Sequence, residues 1–157
     1  MIRPTHIDDT PRLLALTAAT GMFRPLEVDT LAEVLDDYHT VNHQGDHACI
    51  TVEVAHEIIG FAYWAPAAMT DRGWYLYWIV VDPARQGQGW GTKMLRFAEQ
   101  AMQQNGGRML FVETSGMDIY EPTRRFYRKH DYNEQGRVAD YYADGDDQVI
   151  FARRLDG

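Results

Sequence analysis

Residues 80–95 read VVDPARQGQGWGTKML, with three glycines, Gly87, Gly89 and Gly91, at alternate positions. An apolar run ends at Val81, and a helix-like pattern follows the glycines. A strand, a bare backbone and a helix start together make an anion site. The orphan N–H groups of the first helical turn point outward, and the helix dipole favours negative charge. A tight turn alone needs one or two glycines; three at alternate positions suit close approach of a ligand to the main chain.

The surrounding elements read outward from this loop. "GWYLYWIVVD" before it is apolar on both faces and is expected to be a buried strand. "TKMLRFAEQAMQQ" after it is a helix stopped at "NGG", and "RMLFVETS" is a second buried strand. "EPTRRFYRKH" is a short helix with Pro122 near its start, and "YNEQGRVADYY" and "QVIFARRL" are strands around the polar turn "ADGDD". Upstream, "HACITVEVA" and "IIGFAYWAP" form a hairpin turning at His56 and Glu57. "DDTPRLLALTAAT" reads as a helix with Leu13, Leu14 and Leu16 inward, stopped at Gly21. "PLEVDTLAEVLDDYHTV" is a second helix, with Leu26, Leu31, Val34 and Leu35 inward. "MIRPT" is a short edge strand, where Pro4 is tolerated. The order β-α-α-β-β-β-α-β-α-β-β predicts an α/β fold with a mixed sheet of about seven strands. No repeat or linker interrupts it, so residues 1–157 are expected to form one domain.

Composition narrows the function. The chain has 157 residues, 45% of them apolar, enough for a real core. A formal net charge of -8 argues against a general nucleic-acid binder and suits a cationic or amine-bearing partner. One cysteine, Cys49, leaves no internal disulfide and fits a reducing cytoplasm. The N-terminus lacks the apolar core of a signal peptide, and no apolar run approaches the ~18 residues of a membrane span. A cytoplasmic protein without a membrane partner is therefore expected. His39, His43 and His47 have helical metal-ligand spacing, but Gly45 breaks such a helix, and no metal is expected.

Three phosphate-binding loops share the strand–glycine–helix logic. A P-loop closes on Gly-Lys-Ser/Thr, whereas this run closes on Gly91-Thr92-Lys93. A dinucleotide fold needs G-x-G-x-x-G after its first strand, within parallel βαβ units. Here a hairpin and a strand precede G-x-G-x-G. Gln86-Gly87-Gln88-Gly89-Trp90-Gly91 instead resembles Q/R-x-x-G-x-G, the pyrophosphate loop of the GCN5-related N-acetyltransferases, the GNAT superfamily. The resemblance extends to "WIVVDP", "TKMLRFAEQA", "LFVETS" and "RRFYRKHDY", in the family's order and over nearly the whole chain.

The resemblance implies a GNAT fold with a splay between the fourth and fifth strands, where acetyl-CoA lies. Main-chain groups near Ile79, Val80 and Val81 would pair with the pantetheine arm. The loop Gln86, Gly87, Gln88, Gly89, Trp90, Gly91 and Thr92 would hold the pyrophosphate. Arg124, with Arg85, Arg125, Arg128 and Lys93, would screen the remaining phosphate charge. The implied reaction moves an acetyl group from acetyl-CoA to a primary amine: a protein N-terminus, a free amino acid or a small amine. The nearest variety resembles the ribosomal-protein alanine and small-amine acetyltransferases. Acetyl transfer needs a base for the ammonium and benefits from an acid at the thiolate. By its match to the family position, Tyr127 is assigned as the acid. Glu113 matches the Glu of the ribosomal-protein alanine enzymes and is assigned as the base, with a water chain as the alternative. Tyr141 and Tyr142 either line the acceptor mouth or pack the sheet. The sequence departs from the family at Tyr120, usually Asn, and at Asp131, usually Gly, so the turn there is expected to differ. Trp90 is expected to pack the following helix onto the sheet. A non-catalytic acyl-CoA sensor is the competing function, a dinucleotide-binding domain is disfavoured by topology, and a homodimer is left open.

Overall fold

The structure, a computed structural model, describes residues 1–156. Its elements are β1 (Ile2–Pro4), α1 (Thr10–Ala19), α2 (Pro25–Thr40), β2 (Ala48–Val54), β3 (Glu57–Pro66), β4 (Gly73–Val81), α3 (Trp90–Gln104), β5 (Met109–Ser115), α4 (Glu121–Lys129), β6 (Asn133–Ala143) and β7 (Asp146–Arg154), with short 3-10 turns between some of them. This is the order expected from the sequence. The strands form one seven-stranded mixed sheet, ordered β1-β2-β3-β4-β5-β7-β6. The β4–β5 pairing is parallel and covers Gly73–Met109, Trp74–Leu110 and Tyr75–Phe111. Both strands run on beyond these pairs, consistent with the expected splay.

The chain divides into two compact units: Met1–Pro66 with Leu76–Ala101, and the remainder. In the first, α1 and α2 close over the sheet. Pro11 opens α1, and Gly21 lies just past its end with φ +69°. Leu13 and Leu16 from α1 meet Leu31, Leu35 and Tyr38 from α2 and Phe61 and Tyr63 from β3. Leu31, Leu35 and Tyr38 stand four and then three residues apart, one stripe of a helix. Leu26 lies off that stripe and is 71% exposed, so the expectation that it points inward fails. The β2–β3 turn falls one residue earlier than expected, on Ala55 and His56, whose φ angles of 50° and 66° make a two-residue hairpin turn. Beside this hairpin, Gly60 is required: a Cβ there would lie 2.8 Å from the Val80 carbonyl oxygen. The β4 strand is less buried than its composition suggests. Trp74, Leu76 and Val80 are buried, but Tyr77 on the opposite face is 54% exposed.

In the second unit, β7 pairs antiparallel with both β5 and β6. Leu110, Val112, Tyr132, Val149 and Phe151 fill its core. Pro122 lies in the first turn of α4 as expected. At the other end of α4, Asp131 takes φ +70°, and Tyr132 N–H donates back to the Tyr127 carbonyl at 3.0 Å. Asp131 thus takes the left-handed conformation that glycine adopts without strain.

Of the three spaced histidines, His39 and His43 both pack their rings against Tyr38. His43 Nδ1 lies 2.9 Å from the Tyr38 carbonyl and His47 Nδ1 lies 2.6 Å from the Tyr63 hydroxyl. Among the described residues no group of three or more His, Cys, Asp or Glu could hold a metal, and no helix is long and apolar enough to cross a membrane.

Candidate active site

The loop after β4 is built from its flanks inward. Asp82 follows the strand, and its N–H donates to the Ile59 carbonyl at 2.8 Å. Its carboxylate accepts from Ala84 N–H at 2.9 Å, capping the 3-10 turn Pro83–Arg85. Arg12 of α1 grips the same carboxylate at 3.0 Å and donates Nε to the Ile58 carbonyl at 3.2 Å. One arginine thus ties α1, the β3 strand and the start of the loop together. Gln86 closes the near side, its amide reaching the Val81 carbonyl at 3.3 Å.

The next residues leave the main chain bare. Gly87 and Gly89 have φ +78° and +87°, which side chains rarely adopt, and a Cβ at either would meet no atom within 4 Å. The path therefore needs glycine for its conformation, and the space beside it is open. Helix α3 starts directly after, at Trp90, so its first N–H groups face the same space. Lys93, in that first turn, lies with Nζ 4.3 Å from the Trp90 ring centre.

The second unit carries Glu113 and Tyr127. Glu113 is exposed on β5 between buried neighbours. One carboxylate oxygen, Oε2, accepts from the Gln148 amide of β7 at 2.9 Å. The Tyr127 ring is buried, 3% exposed, against Phe126, Tyr132 and Phe151. Burial alone raises the pKa of its phenol above the ordinary tyrosine value. Tyr142 is half-buried beside Tyr141, and burial, with Glu113 and Asp146 nearby, pushes its phenol up to about 12.

Residues 45–134, more than half of the chain, match the family described as Acetyltransferase (GNAT) domain. The chain belongs to the GNAT family. It is an acetyl-CoA-dependent N-acetyltransferase. Similar solved structures include a GNAT-family protein from Desulfovibrio desulfuricans, 29% identical with a TM-score of 0.93, covering 99% of this chain and 98% of that one. An aminoglycoside 6'-N-acetyltransferase complexed with coenzyme A is 20% identical, with a TM-score of 0.80 over 100% and 98% of the chains. A ribosomal-protein-alanine N-acetyltransferase from Brucella melitensis is 14% identical, with a TM-score of 0.76 over 98% and 99%. At those last two identities the likeness is one of fold. No curated protein matches the chain.

Acetyl-CoA is the cosubstrate of a GNAT enzyme, and the residues of the first unit fit it. An open, bare main chain at a helix start is what a pyrophosphate needs. The part of β4 that follows its three pairs with β5 includes Ile79, Val80 and Val81, whose main chain is suited to an added strand. The basic residues divide. Lys93 has no carboxylate partner among the described residues. Arg85 lies 3.4 Å from Glu57. Arg124, assigned to the phosphates by resemblance, is instead turned inward: it is 5% exposed and donates to the Ser115 and Met117 carbonyls at 2.7 and 2.9 Å and to Glu121 at 2.7 Å. Those bonds fasten α4 to the end of β5. Arg125 and Arg128 both lie 3.7 Å from Glu121. Trp90 opens α3 half-buried, with Lys93 over its ring. Sequence reading missed Arg12, Asp82 and Gln148. Asp before Pro is a turn-capping signal that points to Asp82. Arg12 lies 70 positions away from Asp82 and gives no such sign.

Proposed function

We propose that the protein acetylates a primary amine by direct attack within a ternary complex, with Glu113 as base and Tyr127 as acid, and that it works in the cytoplasm. The observation that carries this reading is Glu113: an exposed carboxylate on β5 with one oxygen held by Gln148 and the other without a partner among the described residues. The loop from Gln86 to Thr92 binds the pyrophosphate, and the β4 main chain at Ile79–Val81 takes the pantetheine.

An alkyl ammonium has no lone pair, so one N–H proton moves first to Glu113, directly or through one water. The freed nitrogen attacks the thioester carbonyl, and a strand N–H stabilises the oxyanion. The C–S bond breaks as the carbonyl reforms, and coenzyme A leaves as a thiolate. A second proton leaves the nitrogen for solvent, giving the amide, and solvent restores the proton that Tyr127 gives up. Tyr127, kept protonated by burial, donates a hydrogen bond to the leaving sulfur and then its proton. α-Amines suit one modest base better than lysine side chains do, because their ordinary pKa is near 8 against ~10.4. Protein N-termini suit such a base best; free amino acids and small amines are the other acceptor classes, and the acidic charge of the chain favours the cationic ones.

The test is thiol release from acetyl-CoA with alanyl peptides, free amino acids, diamines and an aminoglycoside, followed by mass spectrometry of the acetylated products. Turnover with an α-amine is expected. Tight acetyl-CoA binding with no turnover on any amine would instead identify a non-catalytic acyl-CoA sensor.

A further inference from the structure

The geometry points to Gln148 as a positioning residue that selects which oxygen of Glu113 meets the acceptor. This rests on the reading of Glu113 as the base. On the β5–β7 ladder, Ser115 lies opposite Gln148 and Glu113 opposite Ile150. Glu113 and Gln148 are therefore diagonal neighbours on one face of the sheet, within reach of long side chains. Gln148 is 4% exposed, an unusual burial for an amide, and a buried amide must find partners or lose stability. One partner is Glu113, whose Oε2 accepts from Nε2 at 2.9 Å. The Tyr142 phenol lies near the same side chain. Tyr142 comes from β6, the strand on the far side of β7. Three strands thus contribute one chain, Tyr142–Gln148–Glu113.

The chain has a direction. Gln148 is fixed by burial and by Tyr142, so its N–H reaches one carboxylate oxygen and holds the carboxylate plane. With Oε2 engaged, Oε1 carries the lone pair that receives the ammonium proton. The proton leaves nitrogen for Oε1, the carboxylate becomes a carboxylic acid, and the N–H electron pair becomes the attacking lone pair. Without Gln148 the carboxylate rotates freely, and fewer encounters are productive. Misplacement of a reacting group by ~1 Å can cost as much as 100-fold, so a freely rotating base should cost roughly tenfold.

Gln148→Met keeps the length and apolar stem of the side chain and removes the amide. With the amine that turns over fastest in the panel above, kcat near neutral pH should fall roughly tenfold, with the KM for acetyl-CoA unchanged. The loss should shrink as pH rises and the amine deprotonates unaided. It should also vanish in a Glu113→Gln background, because there is no base left to position. A loss flat from pH 6 to 10, or one that multiplies with that of Glu113→Gln, overturns the proposal in favour of a structural role. If Glu113→Gln alone is near wild type, the base reading falls first, and this role falls with it. Should Gln148→Met not fold, Tyr142→Phe carries the test: a smaller loss with the same pH trend is expected, and an unchanged profile overturns the chain.

Discussion

Tyr127 and Glu113 differ in how completely the fold commits them. The Tyr127 ring is locked between Phe126, Tyr132 and Phe151, and burial holds its pKa above the ordinary value. A phenol with a raised pKa stays protonated throughout the working range and gives up its proton reluctantly. Its contribution should therefore sit at the low end of general acid catalysis. Tyr127→Phe keeps the packing and removes only the hydroxyl, so kcat should fall by about 10²-fold with acetyl-CoA affinity unchanged by titration calorimetry. A near-normal kcat would make Tyr127 a packing residue. For Glu113→Gln, kcat/KM should drop most near neutral pH, where the acceptor is largely ammonium, and recover as pH rises past the amine's own pKa. A deficit constant from pH 6 to 10 would mean that Glu113 positions the acceptor and solvent takes the proton. At this scale the glycine loop and the exposed Glu at a strand's end could be read from the sequence, because each breaks a local pattern. Arg124 could not: its partners are mainly main-chain carbonyls of Ser115 and Met117, which no residue type announces.

The glycine loop proposed to bind pyrophosphate is braced at its start by Asp82 and Arg12. Asp82 caps the turn before the glycines, and Arg12 of α1 fixes Asp82 and the Ile58 carbonyl. Losing a cap costs about 0.5–2 kcal/mol. If that cost falls on the order of the loop, acetyl-CoA binding to Asp82→Ala weakens roughly 2- to 30-fold. Arg12→Ala should act in the same direction, and the two losses should not add, because both break one contact. Calorimetric titration with coenzyme A reads this directly. Additive losses would show that Arg12 and Asp82 support the loop separately. Gly89→Val is the harsher change. Its side chain must take a left-handed conformation costing about 1–2 kcal/mol and would fill the open space where the ligand is proposed to lie. Affinity should fall at least about tenfold, with circular dichroism unchanged. Helix ends were legible from Pro11, Gly21 and Pro122, each with a local backbone reason. The exposed face of β4 was not, since "YLYWIVV" is apolar at every position and period-2 reasoning has nothing to grip. Leu26 failed for a related reason: apolar residues in a first helical turn need not lie on the stripe that the later turns define.

At the scale of the whole molecule, the two compact units share elements. The β4 strand gives Gly73–Tyr75 to one unit and Leu76–Val81 to the other, and α3 passes between the two at Ala101 and Met102. Neither unit is a continuous stretch of chain, so neither can complete its secondary structure while the other is unfolded. The order of elements along the chain could be inferred from the sequence, but not this division, because it depends on contacts between residues far apart in the chain. The expectation of one domain then becomes a thermodynamic statement: unfolding should be a single cooperative transition, with calorimetric and van't Hoff enthalpies equal. Acetyl-CoA sharpens the test, because ligand bound only to the folded state stabilises everything that must be folded to bind it. At about 100 times Kd that stabilisation is ~2.7 kcal/mol, and for a chain of this size it should raise Tm by roughly 5–10 °C. Differential scanning calorimetry of the full chain, with and without acetyl-CoA, should show one peak that moves as a whole. If the peak splits and only one part moves with ligand, the units unfold independently, and the glycine loop and the Glu113 strand belong to separate domains.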